Sequence, residues 1–251
     1  MSLKILSWNI NGLRNKLDIL SNAVNNDFDF VCIQENKLSK NVNQNQLKIS
    51  NKYAYNYHNY SDIIKGHAGV SIYTNHKPNS VHIMLNDDVG RTLVLKYDKF
   101  YLICVYVPYS GAKLEKLEYK LKWFKEFNNM VKKLKKKCII AGDFNALMND
   151  SIMEVHKPVP RSPGGTYQEI NMINNFIKNN FIDTFRYLNN ENTKYSYWSY
   201  LSNCRKYNKG WRIDYIFTNI DKEDITYSDI LTDVYGSDHA PVILHINNKY
   251  I

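Results

Sequence analysis

Cys138-Ile139-Ile140-Ala141-Gly142-Asp143-Phe144-Asn145 is the stretch that decides the fold. Its apolar run fits a buried strand, and its end does not. Burial stabilises a strand through its apolar side chains, whereas a carboxylate at the tip gains nothing from a core. Upstream, Leu114, Leu117, Leu121, Phe124, Phe127, Val131 and Leu134 recur at three- and four-residue spacing, which predicts an amphipathic helix. Before that helix, Thr92–Tyr97 and Phe100–Val107 flank Asp98-Lys99, a tight hairpin signal.

The same grammar recurs along the chain. Strands are predicted at Leu3–Asn9, Phe30–Gln34, Gly69–Thr74, Cys138–Gly142, Arg212–Thr218 and Pro241–Ile246. Leu13, Leu17, Leu20 and Val24 predict a helix after the first strand, and Ile170, Ile173 and Ile177 predict one over Glu169–Asn180. Strand–helix–strand units mixed with hairpins point to an α/β fold of two sheets packed face to face, with helices outside. Asn36–Ile64, Asn149–Thr166 and Asn203–Gly210 are predicted loops at one edge. No repeat, low-complexity linker or composition shift divides residues 1–251, so one domain is expected.

Composition agrees. A 44% hydrophobic fraction with 14% aromatics excludes a disordered chain. Lys and Arg number 33 against 24 Asp and Glu, a net charge of +9 that favours a polyanionic partner. Cys32, Cys104, Cys138 and Cys204 are widely spaced without a CxxC pair, which argues against zinc and disulfide scaffolds and for reduced thiols inside a cell. No apolar run reaches membrane-spanning length, and Met1-Ser2-Leu3-Lys4-Ile5 lacks the profile of a secretory signal, so no membrane association or secretion is expected.

The polar tips are the candidate site. Asn9 and Asn11 end the first strand, Gln34-Glu35 the second, and Asp143 and Asn145 the strand quoted above; Asp214 and Asp238-His239 come late in the chain. A glutamate after a strand suits Mg²⁺, which takes few carboxylates and keeps several waters. Neutral amides can orient a carboxylate or a phosphate without adding repulsive charge. Asp143 and Asn145, two apart, project to one side, and an aspartate held by an amide can accept and aim a water's proton. An imidazole at His239, kept protonated by Asp214, can stabilise charge on a phosphoryl oxygen, with Asp238 facing the metal region. Tyr106, closing its strand, could donate to a phosphate oxygen. His58, His67, His76, His82, His156 and His245 lack such context and read as surface or packing residues.

These tips, in order and content, resemble the exonuclease III class of apurinic/apyrimidinic (AP) endonucleases, within the endonuclease–exonuclease–phosphatase superfamily. Ser7-Trp8-Asn9-Ile10-Asn11-Gly12-Leu13-Arg14, Gln34-Glu35-Asn36-Lys37, Gly142-Asp143-Phe144-Asn145 and Gly236-Ser237-Asp238-His239-Ala240-Pro241 are the superfamily-type motifs. Tyr106-Val107-Pro108, Leu117-Glu118-Tyr119, Tyr197-Trp198-Ser199-Tyr200 and Gly210-Trp211-Arg212-Ile213-Asp214-Tyr215 resemble the DNA-repair branch.

The resemblance implies a four-layered α/β sandwich and a Mg²⁺-dependent phosphodiesterase, with Mn²⁺ able to substitute. It would cut the DNA backbone 5′ to an abasic sugar, leaving 3′-hydroxyl and 5′-deoxyribose phosphate ends, with 3′-phosphodiesterase or 3′–5′ exonuclease side activity. By likeness, Glu35 is the principal metal ligand, with Asn11 and Asp238 close by. Asp143 activates or positions the attacking water, Asn9 and Asn145 hold Asp143 or the phosphate, and His239 with Asp214 stabilises the pentacovalent phosphorus beside Tyr106. Tyr197, Trp211 and Ile213 match residues that receive a flipped abasic sugar. Leu201 matches a duplex wedge, and Arg91, Lys37, Lys116 and Arg205 match phosphate contacts. The implied partner is double-stranded DNA with abasic sites or blocked 3′ ends, bound by a monomer. Lys132-Lys133-Leu134-Lys135-Lys136-Lys137 ends a helix, where cations complement its dipole, and reads as a solvated end.

The chain departs from the pattern at Asn11, where some relatives carry Asp, at Tyr109, Ala112 and His67, and at Tyr167, where Pro is usual. Those departures bear on lesion preference and on the balance of endonuclease over exonuclease. Two competing readings remain. One is a less selective nuclease of the same superfamily, deoxyribonuclease I-like or retroelement-like; the other is a non-catalytic DNA-binding module on this fold.

Overall fold

The computed structural model describes residues 2–25, 27–85, 88–148, 161–190 and 192–251. Twelve strands among them form two six-stranded sheets. The first sheet contains β1 (Ser2–Asn9), β2 (Phe30–Gln34), β3 (Tyr55–Asn59), β4 (Val70–Thr74), β11 (Ile225–Ile230) and β12 (Val242–Asn247), in the order β11-β12-β1-β2-β4-β3. The second contains β5 (Ser80–His82), β6 (Thr92–Lys96), β7 (Phe100–Tyr106), β8 (Lys137–Asp143), β9 (Ile182–Asp183) and β10 (Asp214–Thr218), in the order β5-β6-β7-β8-β10-β9.

Each sheet is built on one central parallel pair, β1 with β2 and β7 with β8, with antiparallel strands on both sides. A parallel pair needs a crossover. The first crossover contains helix α1 (Leu17–Val24) and the second helix α2 (Leu117–Lys132). Helices α3 (Tyr167–Ile177) and α4 (Thr184–Leu188) follow β8.

Three apolar clusters make the layers. Ile5, Phe30, Ile72, Leu95, Leu102, Ile139, Ile216 and Leu244 meet between the sheets. Leu20 and Val24 of α1 cover the outer face of the first sheet against Leu6, Trp8, Val31 and Ile33. Phe124, Phe127, Ile173 and Phe176 of α2 and α3 cover the second against Ile103, Ile140 and Phe217. The strict alternation of inward and outward side chains lets one strand serve two clusters, so the sandwich has four layers. Gly142 is required by close approach: a Cβ there would lie 1.9 Å from the Val105 carbonyl oxygen of the neighbouring strand.

The expected strands are present within one or two residues of their predicted ends. Four others carry no clean apolar signal: β3, β5, β9 and β11. The predicted loop Asn36–Ile64 is corrected, since it holds β3 and a 3-10 turn at Gln44–Leu47. β3 is an edge strand, half-buried along its whole length, so its Asn and His residues read as loop. Helix α3 begins two residues before its predicted start, because Thr166 caps it and forms a reciprocal capping box with Glu169. Most of the predicted loop Asn149–Thr166 lies outside the described residues, as does His156.

Candidate active site

Parallel pairing sets the site. β1 and β2 end together, Asn9 opposite Gln34, and β7 and β8 end together, Tyr106 opposite Asp143. Antiparallel β10 starts at the same level, Asp214 opposite Asp143. The tips of both sheets therefore open on one side of the sandwich. Four residues there are in the left-handed region: Asn11, Glu35, Lys37 and Asn145 all have positive φ, between 48° and 52°. Such conformations cost free energy in non-glycine residues and persist where surrounding contacts enforce them.

One half of the site is buried. His239 Nδ1 lies 2.8 Å from Asp214 Oδ2, and His239 Nε2 lies 3.9 Å from Asp143 Oδ2. Asn145 donates its backbone N–H to Asp143 Oδ1 at 2.7 Å and its side-chain amide to the Val107 carbonyl at 3.0 Å. Burial alone would depress the His239 pKa, but the Asp214 carboxylate outweighs it and raises the imidazole to about 10. Burial, reinforced by the Asp214 charge, lifts Asp143 to about 7 against the opposing pull of His239. At neutral pH the histidine is therefore a cation held by two carboxyl groups.

The other half is more open. Glu35 Oε1 accepts from Asn9 Nδ2 at 2.9 Å and from the Tyr106 phenol at 3.0 Å. Burial would raise Glu35, but the Asn9 amide and the Lys37 ammonium hold it below the usual carboxylate range. Burial pushes the Tyr106 phenol well up, and the Glu35 charge adds to that, so the hydroxyl remains a donor. Asn11 donates its side-chain amide to Asp238 Oδ1 at 3.0 Å, and Ser237 donates its hydroxyl to the Asn9 carbonyl at 2.7 Å. Asn9 joins the halves: the same Nδ2 that reaches Glu35 also reaches Asp143 Oδ2 at 2.9 Å.

Two groupings could hold a metal. Asp143, Asp214 and His239 bring one ligand atom each to within 4.8 Å of one another. That imidazole is committed to the two carboxyl groups, Nδ1 at 2.8 Å from Asp214 and Nε2 facing Asp143. The oxygens of Glu35 and Asn11, with Asp238 one link away, are the better fit. They are hard donors of the kind Mg²⁺ takes, and Glu35 Oε2 and Asn11 Oδ1 already share one cationic partner, the Lys37 ammonium.

Beside His239 opens a cleft of about 840 Å³. Tyr197, Trp211 and Ile213 line it together with Glu35, Tyr106, Asn145, Asp238 and His239. The Tyr197 ring lies 4.8 Å from the His239 ring, and its backbone bridges to both Trp211 and His239. Arg91 lines the cleft but is buried, its guanidinium 5.1 Å over the Tyr106 ring. Lys116 lines the cleft and is exposed; Leu201 stands out at 77% exposure. Arg205 is directed elsewhere: it donates to the carbonyls of Ser237, Thr232 and Val234 and stacks between Trp198 and Tyr235.

Several contributors went unread in the sequence. Lys120 and Glu169, both fully buried, form an ion pair of 2.6 Å. Lys120 also donates to the Asn145 carbonyl, and Glu169 Oε2 accepts from Gly164 N and the Thr166 hydroxyl. The pair thereby ties the Asp143 turn to Gly164 on the cleft wall. The Thr-x-x-Glu spacing at 166–169 was the available signal for Glu169. Ser196 takes the backbone N–H groups of Ile213 and Asp214 on its hydroxyl, and the Trp8 indole donates to the His239 carbonyl. Lys209 lines the cleft and is exposed.

A two-sheet sandwich with acidic, amide and imidazole groups converging at the strand tips is the architecture of a phosphoester-cleaving class. The Endonuclease/Exonuclease/phosphatase family pattern matches residues 6–239, and the chain belongs to that family. It is 32% identical to an exodeoxyribonuclease of Bacillus subtilis (strain 168), over 98% of this chain and all of that protein. It is 32% identical to the DNA-(apurinic or apyrimidinic site) endonuclease of Dictyostelium discoideum, over 96% of this chain and 69% of that protein. The solved structure of an AP endonuclease from Archaeoglobus fulgidus superposes with a TM-score of 0.83 at 24% identity, covering 98% of this chain and 99% of the other.

Proposed function

We propose that this chain is a Mg²⁺-dependent DNA-repair phosphodiesterase. It cleaves the backbone 5′ to an abasic sugar, leaving 3′-hydroxyl and 5′-deoxyribose phosphate ends, and also processes 3′ ends. The observation that carries this reading is one cleft lined by Glu35, His239, Tyr197, Trp211 and Ile213, with Asp214 behind the His239 ring and Asp143 tied to Glu35 through the Asn9 amide.

Asp143, ionised, accepts the proton of the attacking water, and Asn145 N–H and Asn9 Nδ2 aim its two oxygens. The His239 imidazolium, oriented by Asp214, donates toward the phosphoryl oxygen where negative charge develops. Tyr106 steadies Glu35. Glu35 is the principal ligand of the metal, with Asn11 and Asp238 beside it. When bound, Mg²⁺ supplies neutralisation of charge on the phosphate and leaving oxygen.

Tyr197, Trp211 and Ile213 receive a flipped sugar that lacks its base, the nucleotide that costs least to extrude. Gly164 keeps that wall open: its φ is +85°, and a Cβ there would lie 3.3 Å from Trp211 Cζ3. Lys116 and Arg91 contact phosphates, and Leu201 enters the duplex. The protein acts as a single-domain monomer inside the cell, where its four free cysteines remain reduced. Among the described residues no helix is long and apolar enough to cross a membrane.

The test is incubation with Mg²⁺ and two duplexes, one abasic and one intact, with and without chelator. Cleavage of the abasic duplex alone, abolished by chelator, is expected. Equal cutting of both would favour an unselective nuclease, and no cutting would favour a DNA-binding module.

A further inference from the structure

The geometry points to Lys37 as a resident counter-ion of the metal site, one that a divalent cation must displace. This rests on the reading of Glu35 and Asn11 as metal-holding oxygens. Lys37 Nζ lies 3.0 Å from Glu35 Oε2 and 2.5 Å from Asn11 Oδ1. Glu35 Oε1 is already occupied by the Asn9 amide and the Tyr106 phenol. Oε2 is therefore the oxygen open to a cation, and it is the one the ammonium takes. Asn11 is oriented the same way, since its amide nitrogen is bound to Asp238 and its oxygen faces Lys37.

The lysine is delivered there by its backbone. Its φ is +51°, and its N–H is fixed to the Ala68 carbonyl at 2.9 Å, so the side chain folds back over the Glu35 turn. It is not sealed in: the Lys37 side chain is 32% exposed, against 19% for Glu35. Each oxygen keeps a second lone pair, but a divalent ion on the same two oxygens would be pressed against the ammonium, and the repulsion between the two charges couples metal entry to Lys37 departure. Without metal the ammonium keeps the ligand oxygens together; with metal it is released at the mouth of the site, where a DNA phosphate is the available anion. The phosphate contact inferred for Lys37 from sequence and the contact seen in the structure are then two positions of one side chain.

Lys16 separates this idea from a general charge effect. Its ammonium is also near Glu35 and Asp238, but it donates to the Ile10 carbonyl at 2.7 Å and occupies neither ligand oxygen. Mn²⁺ binding to the DNA-free protein, followed by electron paramagnetic resonance, is the experiment, on the wild type and on Lys37→Met, Lys37→Arg and Lys16→Met, each checked for an unchanged circular dichroism spectrum. Lys37→Met is expected to bind Mn²⁺ at least tenfold more tightly than wild type, Lys37→Arg to remain close to wild type, and Lys16→Met to change by less than threefold. Equal or weaker Mn²⁺ binding by folded Lys37→Met would overturn the inference, as would an equal gain from Lys16→Met. No Mn²⁺ binding by any of the four proteins would instead overturn the metal reading beneath it.

Discussion

The two halves of the site use the same residue types under opposite conditions. Asp143, Asp214 and His239 are almost fully buried, with the imidazole between the two carboxyl groups, 2.8 Å from Asp214 and 3.9 Å from Asp143. Glu35, Lys37, Asn11 and Asp238 are half-exposed and form a looser chain of ion pair and amide contacts. Burial raises Asp143 into the neutral range and the Asp214 charge outweighs burial to hold a proton on His239, whereas the Asn9 amide and the Lys37 ammonium keep Glu35 anionic. The proposed reaction gives the contrast a physical reason. A proton must be kept at a defined atom through the reaction, which favours low dielectric and fixed partners. A hydrated cation must come and go, which needs solvent access and ligands that are not over-committed.

The sharpest break of that contrast is His239→Asn. It removes the protonated donor from the buried half and leaves the open half intact, so turnover should fall by about two to four powers of ten with DNA binding largely retained. Single-turnover rates beside a binding isotherm check it; a loss confined to binding would place the histidine outside the chemistry.

Next in size is Lys120→Met, which strands the Glu169 carboxylate in the interior beneath the Asp143 turn. Breaking one side of a buried pair typically costs about 3–5 kcal/mol, read here as a lowered denaturation midpoint. Replacing both partners with Met and Leu should recover much of that stability without restoring the position of Asn145. A stability change within error for Lys120→Met would mean the pair is solvated in solution.

A smaller, more diagnostic effect is a shift in pH dependence. Removing the Asp214 charge lowers both His239 and Asp143, because that charge raises each of them. In Asp214→Asn the alkaline limb of the rate profile should move down from about 10 toward 6.5, and the acid limb should move down from about 7. An alkaline limb that stays in place would assign it to another group.

The least change is expected at the rim. Lys209→Ala or Lys116→Ala should weaken duplex binding at low salt and reduce the slope of log affinity against log salt by about 1 each, with the rate on bound DNA unaltered. An unchanged slope would remove that lysine from the phosphate path.

The strands that carry the site were readable because their apolar runs end abruptly in polar residues, as at Phe30–Gln34 before Glu35 and at Cys138–Gly142 before Asp143. β3 and β9 were not, being an edge strand of Asn, His and Tyr and a two-residue pairing. β11 was hidden by a bulge between Ile225 and Tyr227, which breaks the alternation that reveals a half-exposed strand. Lys120 was obscured by its neighbours, one lysine among many on a helix whose buried member is decided by what packs above it. Arg205 illustrates the reverse: a basic residue expected at a phosphate whose guanidinium donates to backbone carbonyls and stacks on Trp198.

The sequence by itself determined the chemical inventory of strand tips, the helical stripes that cover the sheets, and the family. Only the tertiary structure decided that Asn9 reaches Glu35 and Asp143 at once, that His239 faces Asp214, and that Lys37 sits on the Glu35 and Asn11 oxygens. Those outcomes depend on strand register and sheet packing, which bring together residues as far apart as Asn9 and Asp143, 134 positions. A one-dimensional pattern records each residue's polarity and leaves its distant partner unspecified.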